Sequence, residues 1–156
     1  MSRRELNLGL ECIAFANEDT CLPTGSEVYV GQYEAQLGEI VAVLNFDGVG
    51  HALDVNTVAI YANSEPFREL VDDLLRAHPS LVWTDPWPES DHSAFSFRGV
   101  ACLAFMSRAA WHHAHLHTDT LEWASPRQLA RLVRFAADVV ASLQDRDSAW
   151  ARAPQE

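Results

Sequence analysis

The sequence predicts an α/β fold, a three-layer α/β/α sandwich around a mostly parallel mixed sheet. Short apolar runs such as Glu39–Phe46 and Val100–Phe105 alternate with segments whose apolar residues recur at helical spacing. Ser, Thr and Pro start signals stand ahead of those helical segments. Strands that alternate with helices put helices on both faces of the sheet. At 156 residues the chain is long enough for one domain with one core.

In order, Leu10–Ala16 is expected to be a buried strand that stops at two adjacent carboxylates, Glu18 and Asp19. A turn follows, and Thr24 with Glu27 forms a capping box opening a helix over Thr24–Gln36. Glu39–Phe46 is a second strand and ends at Asp47-Gly-Val-Gly50, again an acid just past a strand. Thr57–Tyr61 is a third, shorter one. Ser64 caps a helix carrying Phe67, Leu70, Val71, Leu74 and Leu75 on one face. Leu81–Trp83 is a short apolar segment, followed by the Pro- and Trp-rich loop Asp85–Glu89. Ser90–Phe95 caps and begins a short helix. Val100–Phe105, a fifth strand, leads into the histidine-dense loop Trp111–Thr120. The last helix has Ser125 as N-cap, Pro126 as first residue and Gln128 completing a capping box. Its stripe is Leu129, Leu132, Val133, Ala136, Val140 and Leu143. From about Asp145 the tail is polar and expected to fray.

The formal net charge of −11 argues against nucleic-acid or anionic-membrane partners. No apolar run approaches the roughly 20 residues of a membrane span. Met1–Asn7 lacks the apolar segment of a secretory signal, so the chain as written reads as cytoplasmic, with secretion open if the true start lies upstream. Cys12 and Cys102 sit in apolar runs and are expected to be buried free thiols. No CxxC or zinc-finger spacing is present.

Three expected strands end in, or lead to, metal-ligand residue types: Asp19, Asp47 and the histidine loop. In a parallel sheet these lie at one edge, where open α/β sheets bind ligands. Asp, Glu and His without cysteine is the donor set of hydrolytic zinc sites, and Glu18 next door suits a general base.

The same residues resemble the co-catalytic zinc aminopeptidases, metallopeptidase family twenty-eight, whose relatives include glutamate carboxypeptidases, glutaminyl cyclases and the transferrin receptor ectodomain. FANEDTCLPTGSEVYV is similar to that family's strand-Glu-Glu-turn-Gly-Ser-helix segment, and LNFDGVG to its Asn-x-Asp-x-x-Gly metal segment. SDHSAFSFRGVACLAF resembles its Ser-Asp-His run and HLHTDTLEW its His-x-x-x-Asp-Thr segment. Order and spacing agree from about Arg4 to Leu143. The resemblance implies a zinc-exopeptidase-like fold and two zinc ions. Glu18 becomes the general base, Asp19 a terminal ligand of one zinc and Asp47 of the other. Spacing selects His115 as a further ligand over His117, which directly precedes a threonine as the family's ligand often does. Asp91 and His92 would line the substrate pocket, while His112 and His113 read as solvated loop histidines.

One departure stands out. The family needs an upstream His-x-Asp whose aspartate bridges the metals, yet none of the 17 residues before Glu18 is His or Asp. Asp19 with His115, and Asp47 alone, fall short of the usual three protein ligands. The leading expectation is therefore residues 1–145 as the C-terminal portion of a zinc-dependent aminopeptidase-type hydrolase domain, weak or inactive alone, with 146–156 a polar tail. It would take peptide or aminoacyl substrates and hold fewer zinc ions, or hold them weakly. Two tightly held zincs would point to His51 or His113 as replacement ligands. The alternatives are a non-catalytic scaffold or interaction module of the same fold, and a single-zinc, glutaminyl-cyclase-like acyltransferase. Trp83, Trp87 and Trp111 hint at an apolar pocket. With the N-terminal strands missing beside Val100–Phe105, Leu10–Ala16 is expected to re-pair with that strand, stay loosely attached, or recruit a strand from another chain.

Overall fold

The computed structural model describes residues 6–19 and 23–154. A four-stranded sheet is built from β1 (Val43–Phe46), β2 (Asn56–Tyr61), β3 (Leu81–Trp83) and β4 (Cys102–Ser107), in the order β1-β4-β2-β3. β1 pairs with β4 and β2 with β3 in parallel, whereas β2 and β4 are antiparallel. Every residue of β4 is buried, because it lies inside the sheet and is covered on both faces.

Alternation along β4 divides the core into two layers. On one face Leu103 and Phe105, with Val58 and Ile60, pack against α2 (Glu65–Ala77), α4 (Pro126–Ser142) and α5 (Ser148–Ala151) through Phe67, Val71, Leu132, Phe135 and Val139. On the other, Cys102 packs with Val30 of α1 (Gly25–Gln32), Leu37 of the 3₁₀ turn Glu34–Glu39 and Phe95 of α3 (His92–Ser96). The three layers are those expected. The caps agree as well: Thr24 and Glu27 form the full reciprocal box at α1, and Ser64 accepts from the Phe67 amide. Ser125 accepts from the Gln128 amide, but the Gln128 side chain donates to the Asp54 carbonyl instead of closing the box. No helix among the described residues is long and apolar enough to cross a membrane.

Leu10–Ala16 is not a strand: it runs irregularly, with Leu10 65% and Ile13 41% exposed. Both neighbours of β4 are present, so no vacancy exists beside Val100–Phe105; among the described residues β1 and β3 form the two edges of the sheet. The Asp47 amide donates to Phe105 on β4 and the Val43 amide to Ala101 just before it, which turns the backbone groups of the alternate residues Leu44 and Phe46 outward. The segment is tied at its ends, the Asn7 amide donating to Gln144 (2.6 Å) and the Phe15 ring meeting Tyr29 (5.7 Å) and Phe95 (6.1 Å). It neither pairs with β4 nor joins the sheet, and the Tyr29 hydroxyl donates to Glu11 within it (2.8 Å). For the same reason Cys12 is exposed rather than buried. Cys102 is buried, and burial pushes its thiol up to about 12. Thr20–Leu22, in the expected turn after Asp19, lie outside the described residues.

The tail does not fray at Asp145. Asp147 caps α5 by accepting from the Trp150 amide, Ser64 bonds the carbonyls of Trp150 and Ala151, and Ala151 is fully buried. Arg152 donates to the carbonyls of Leu37 and Ile40, so the polar letters of this segment conceal an anchor.

Candidate active site

An open cleft of about 1090 Å³ lies where the chain leaves β1 and β4, and Glu18, Asp19, Asp47, Ser90 and His115 all line it. Glu18 and Asp19 are delivered by a tight approach. The Gly25 amide donates to the Ala16 carbonyl (2.9 Å), and a Cβ on Gly25 would stand 2.9 Å from Ala16 backbone atoms, so only glycine fits. Asn17, at φ 70°, then turns the two acids into the cleft. The carboxylates feel one another. Partial burial, a hydrogen bond with Asp19, and the charges of Asp19, Asp47 and Asp91 together push Glu18 up to about 7.

Asp47 is held from beneath by a directed chain of hydrogen bonds. The Trp87 carbonyl can only accept, so His92 carries its proton on Nε2 and donates to it (2.9 Å). His92 Nδ1 then accepts from Asn45 Nδ2 (3.4 Å), which also donates to Ser90 Oγ (2.9 Å). The Ser90 hydroxyl donates to Asp47 Oδ2 (2.8 Å). His92 is fully buried and flanked by Tyr61 and Trp87, and burial keeps its pKa below the ordinary histidine value. It does not line the cleft, so the expected contact with substrate is replaced by support of Asp47. Asp91 does not line it either; its Oδ1 is buried without a partner among the described residues, and its charge reaches both Glu18 and His92.

His115, at φ 61°, places Nε2 3.4 Å from Asp19 Oδ1, an exposed pair with 66% and 58% of the two side chains accessible. His117 is exposed and does not line the cleft. His113 is not a solvated loop residue: its ring stacks on Trp123 (4.5 Å) and His51 (5.5 Å) in the cleft wall. Sequence reasoning gave no role to Asn45 and Ser90, although both stand in the family-like segments LNFDGVG and SDHSAFSFRGVACLAF, and weighed His51 only as a replacement ligand and not as part of the wall.

Zinc, which the resemblance implies, is not accommodated by these donors alone. Among the described residues no three His, Cys, Asp or Glu side chains are grouped to hold an ion. Asp19 and His115 face each other, and Asp47 has one oxygen taken by Ser90.

Two solved structures share this architecture. A peptidase candidate from Clostridium acetobutylicum aligns over 78% of this chain with a TM-score of 0.67 at 19% identity. The LapA aminopeptidase of Legionella pneumophila aligns over 85% with a TM-score of 0.66 at 16% identity. The chain spans only 30% and 38% of those two proteins. A search of curated protein sequences returned no match. The sequence matches the profile of Peptidase family M28 over residues 2–140, nearly its whole length and every element that builds the cleft. The chain belongs to Peptidase family M28.

Proposed function

We propose that this chain carries the carboxylate side of an aminopeptidase-type hydrolytic site, binding the amine end of a peptide or aminoacyl ligand in the cleft. The observation that supports it is the convergence of Glu18, Asp19 and Asp47, from separate parts of the chain, in one cleft. Like charges are gathered at such a cost only where a ligand or a proton repays it. A group that exchanges its proton near pH 7 suits general-base work: Glu18 takes a proton from the attacking water and returns it to the leaving amine. Asp19 and Asp47 supply negative potential for the ligand's ammonium.

The donors in hand fall short of the three per ion that a catalytic zinc uses, so the chain alone should hold zinc weakly and turn over slowly or not at all. The check is zinc content after dialysis together with turnover of leucine p-nitroanilide. Less than one retained zinc and turnover near background agree with this reading, whereas two tightly held zincs and brisk turnover contradict it. A scaffold without catalytic purpose differs in one respect: it has no reason to bind a dipeptide in the cleft.

A further inference from the structure

The loop that follows Asp47 is fixed more firmly than holding one carboxylate requires. Gly48 and Gly50 take φ of 57° and 84°, conformations open to glycine. The Gly50 amide donates to Asn56 Oδ1 (2.8 Å), the His51 amide to Ser107 Oγ (3.1 Å), and the Ser107 hydroxyl to the same Asn56 oxygen (2.8 Å). Asn56 and Ser107 are fully buried. On the outer side the Ala52 amide bonds the Trp123 carbonyl (2.7 Å) and the Ser125 amide the Gly50 carbonyl (2.8 Å).

The product of this framework is the placement of His51, which is only 7% exposed. Its Nδ1 accepts from the Leu53 amide (3.2 Å), so the neutral ring carries its proton on Nε2. That Nε2 is buried with no partner among the described residues. His51 nevertheless lines the cleft, with His113 and Trp123 stacked against it at 5.5 and 5.3 Å and within 14° and 10° of parallel. Rings stacked in near-parallel planes do not converge their nitrogens on one ion, so His51 and His113 are poor replacement metal ligands. A buried donor left unmatched is costly, and a rigid framework that maintains one calls for an acceptor brought from outside.

We infer that His51 is a specificity-determining residue of the cleft, its Nε2–H donating to an amide carbonyl oxygen of a bound peptide. This rests on the reading of the cleft as a peptide site. The acceptor is a neutral carbonyl and not a carboxylate, because Glu18, Asp19 and Asp47 already fill the cleft with negative charge. The His113 ring stacks on both His51 and Trp123 and meets Thr118 Oγ1 at 3.5 Å, so a ligand reaches the donor by turning that ring out of the stack. The ligand class is a short peptide with a free amine and at least one further amide, in preference to one ending in a free carboxylate at that position.

Calorimetric titration of the whole chain with L-leucyl-L-leucinamide and L-leucyl-L-leucine tests this. The amide should bind about tenfold more tightly than the acid, and His51→Phe should weaken the amide roughly three- to tenfold while leaving the acid nearly unchanged. Equal loss for both ligands in a folded variant, or no loss for the amide, overturns the inference and leaves the peptide-site reading standing. Failure of the unaltered chain to bind either ligand overturns both. Should His51→Phe not fold, the imidazole ¹⁵N resonances of His51 in the unaltered chain take its place. The amide must shift the Nε2 signal well beyond any shift from the acid, and an unmoved signal at saturation overturns the inference.

Discussion

Asp47 and Asp19 are the same side chain, facing the same cleft, on supports of opposite kind. Asp47 leaves a paired strand, its amide bonded to Phe105 and its carboxylate to a chain of donors that ends on a fully buried histidine. Asp19 leaves an unpaired segment whose Leu10 and Ile13 lie in water, and it meets its neighbour Glu18 and the exposed His115. Free energy follows support and not proximity. Removing a buried partner leaves a desolvated group behind, whereas removing an exposed one lets water return. The Asp47 side should therefore be stiff and sensitive to mutation, and the Asp19 side soft and tolerant.

The largest effect is expected beneath Asp47. Asn56→Leu strands the Gly50 amide, the Ser107 hydroxyl and the Gln128 carbonyl, and should cost about 3 kcal/mol in urea unfolding. A loss below 1 kcal/mol would show that the loop does not depend on that network. Next comes His92→Phe, which keeps the volume but leaves one Asn45 hydrogen unmatched, the Trp87 carbonyl still accepting from the Tyr61 hydroxyl, for about 1 kcal/mol. Glu18→Gln sharpens the contrast through pH. An acid held above its unfolded pKa keeps its proton more tightly when folded, so stability falls as pH rises from about 4.5 to about 7. The variant should match the parent at pH 4 and exceed it at pH 8, by on the order of 0.5 kcal/mol given partial solvation. A parent curve that rises over that interval more steeply than the variant's would reverse the sign. Smallest of all, His115→Ala should change stability by less than about 0.5 kcal/mol, since its pair is exposed.

How much of this was legible in the sequence follows the same division. Helix starts at Thr24, Ser64 and Ser125 could be read because a cap is a local bargain between a side chain and amides within one turn. β4 could be read because a strand covered on both faces must be apolar throughout. Leu10–Ala16 misled because its composition suits a strand, while strandhood depends on a neighbour that local sequence does not report. The acids of the site were visible as carboxylates placed just past apolar runs. The hydrogen bonds of the Asn45–Ser90–His92 relay and the one that sets His51 in the wall were not, because they join residues from 45 to 56 positions apart, as Ser90 from Asn45 and Ser107 from His51. The tail misled in the other direction: Arg152 and Ser148 look solvated, yet they bond carbonyls of the 3₁₀ turn more than 100 residues upstream.

The account stands on Glu18, Asp19 and Asp47 meeting in solution as they do in the cleft. Carbon-13 NMR of the Glu18 side-chain carboxyl reads this directly, because its titration midpoint reports its burial and the charges around it. A midpoint near 7 in the unaltered chain, lowered when Asp19→Asn and Asp47→Asn are combined yet still above 4.5 because burial and the Asp91 charge remain, is the predicted result. A midpoint near 4.5 in the unaltered chain, unmoved by those substitutions, would mean that the carboxylates do not converge and that the proposed site does not exist.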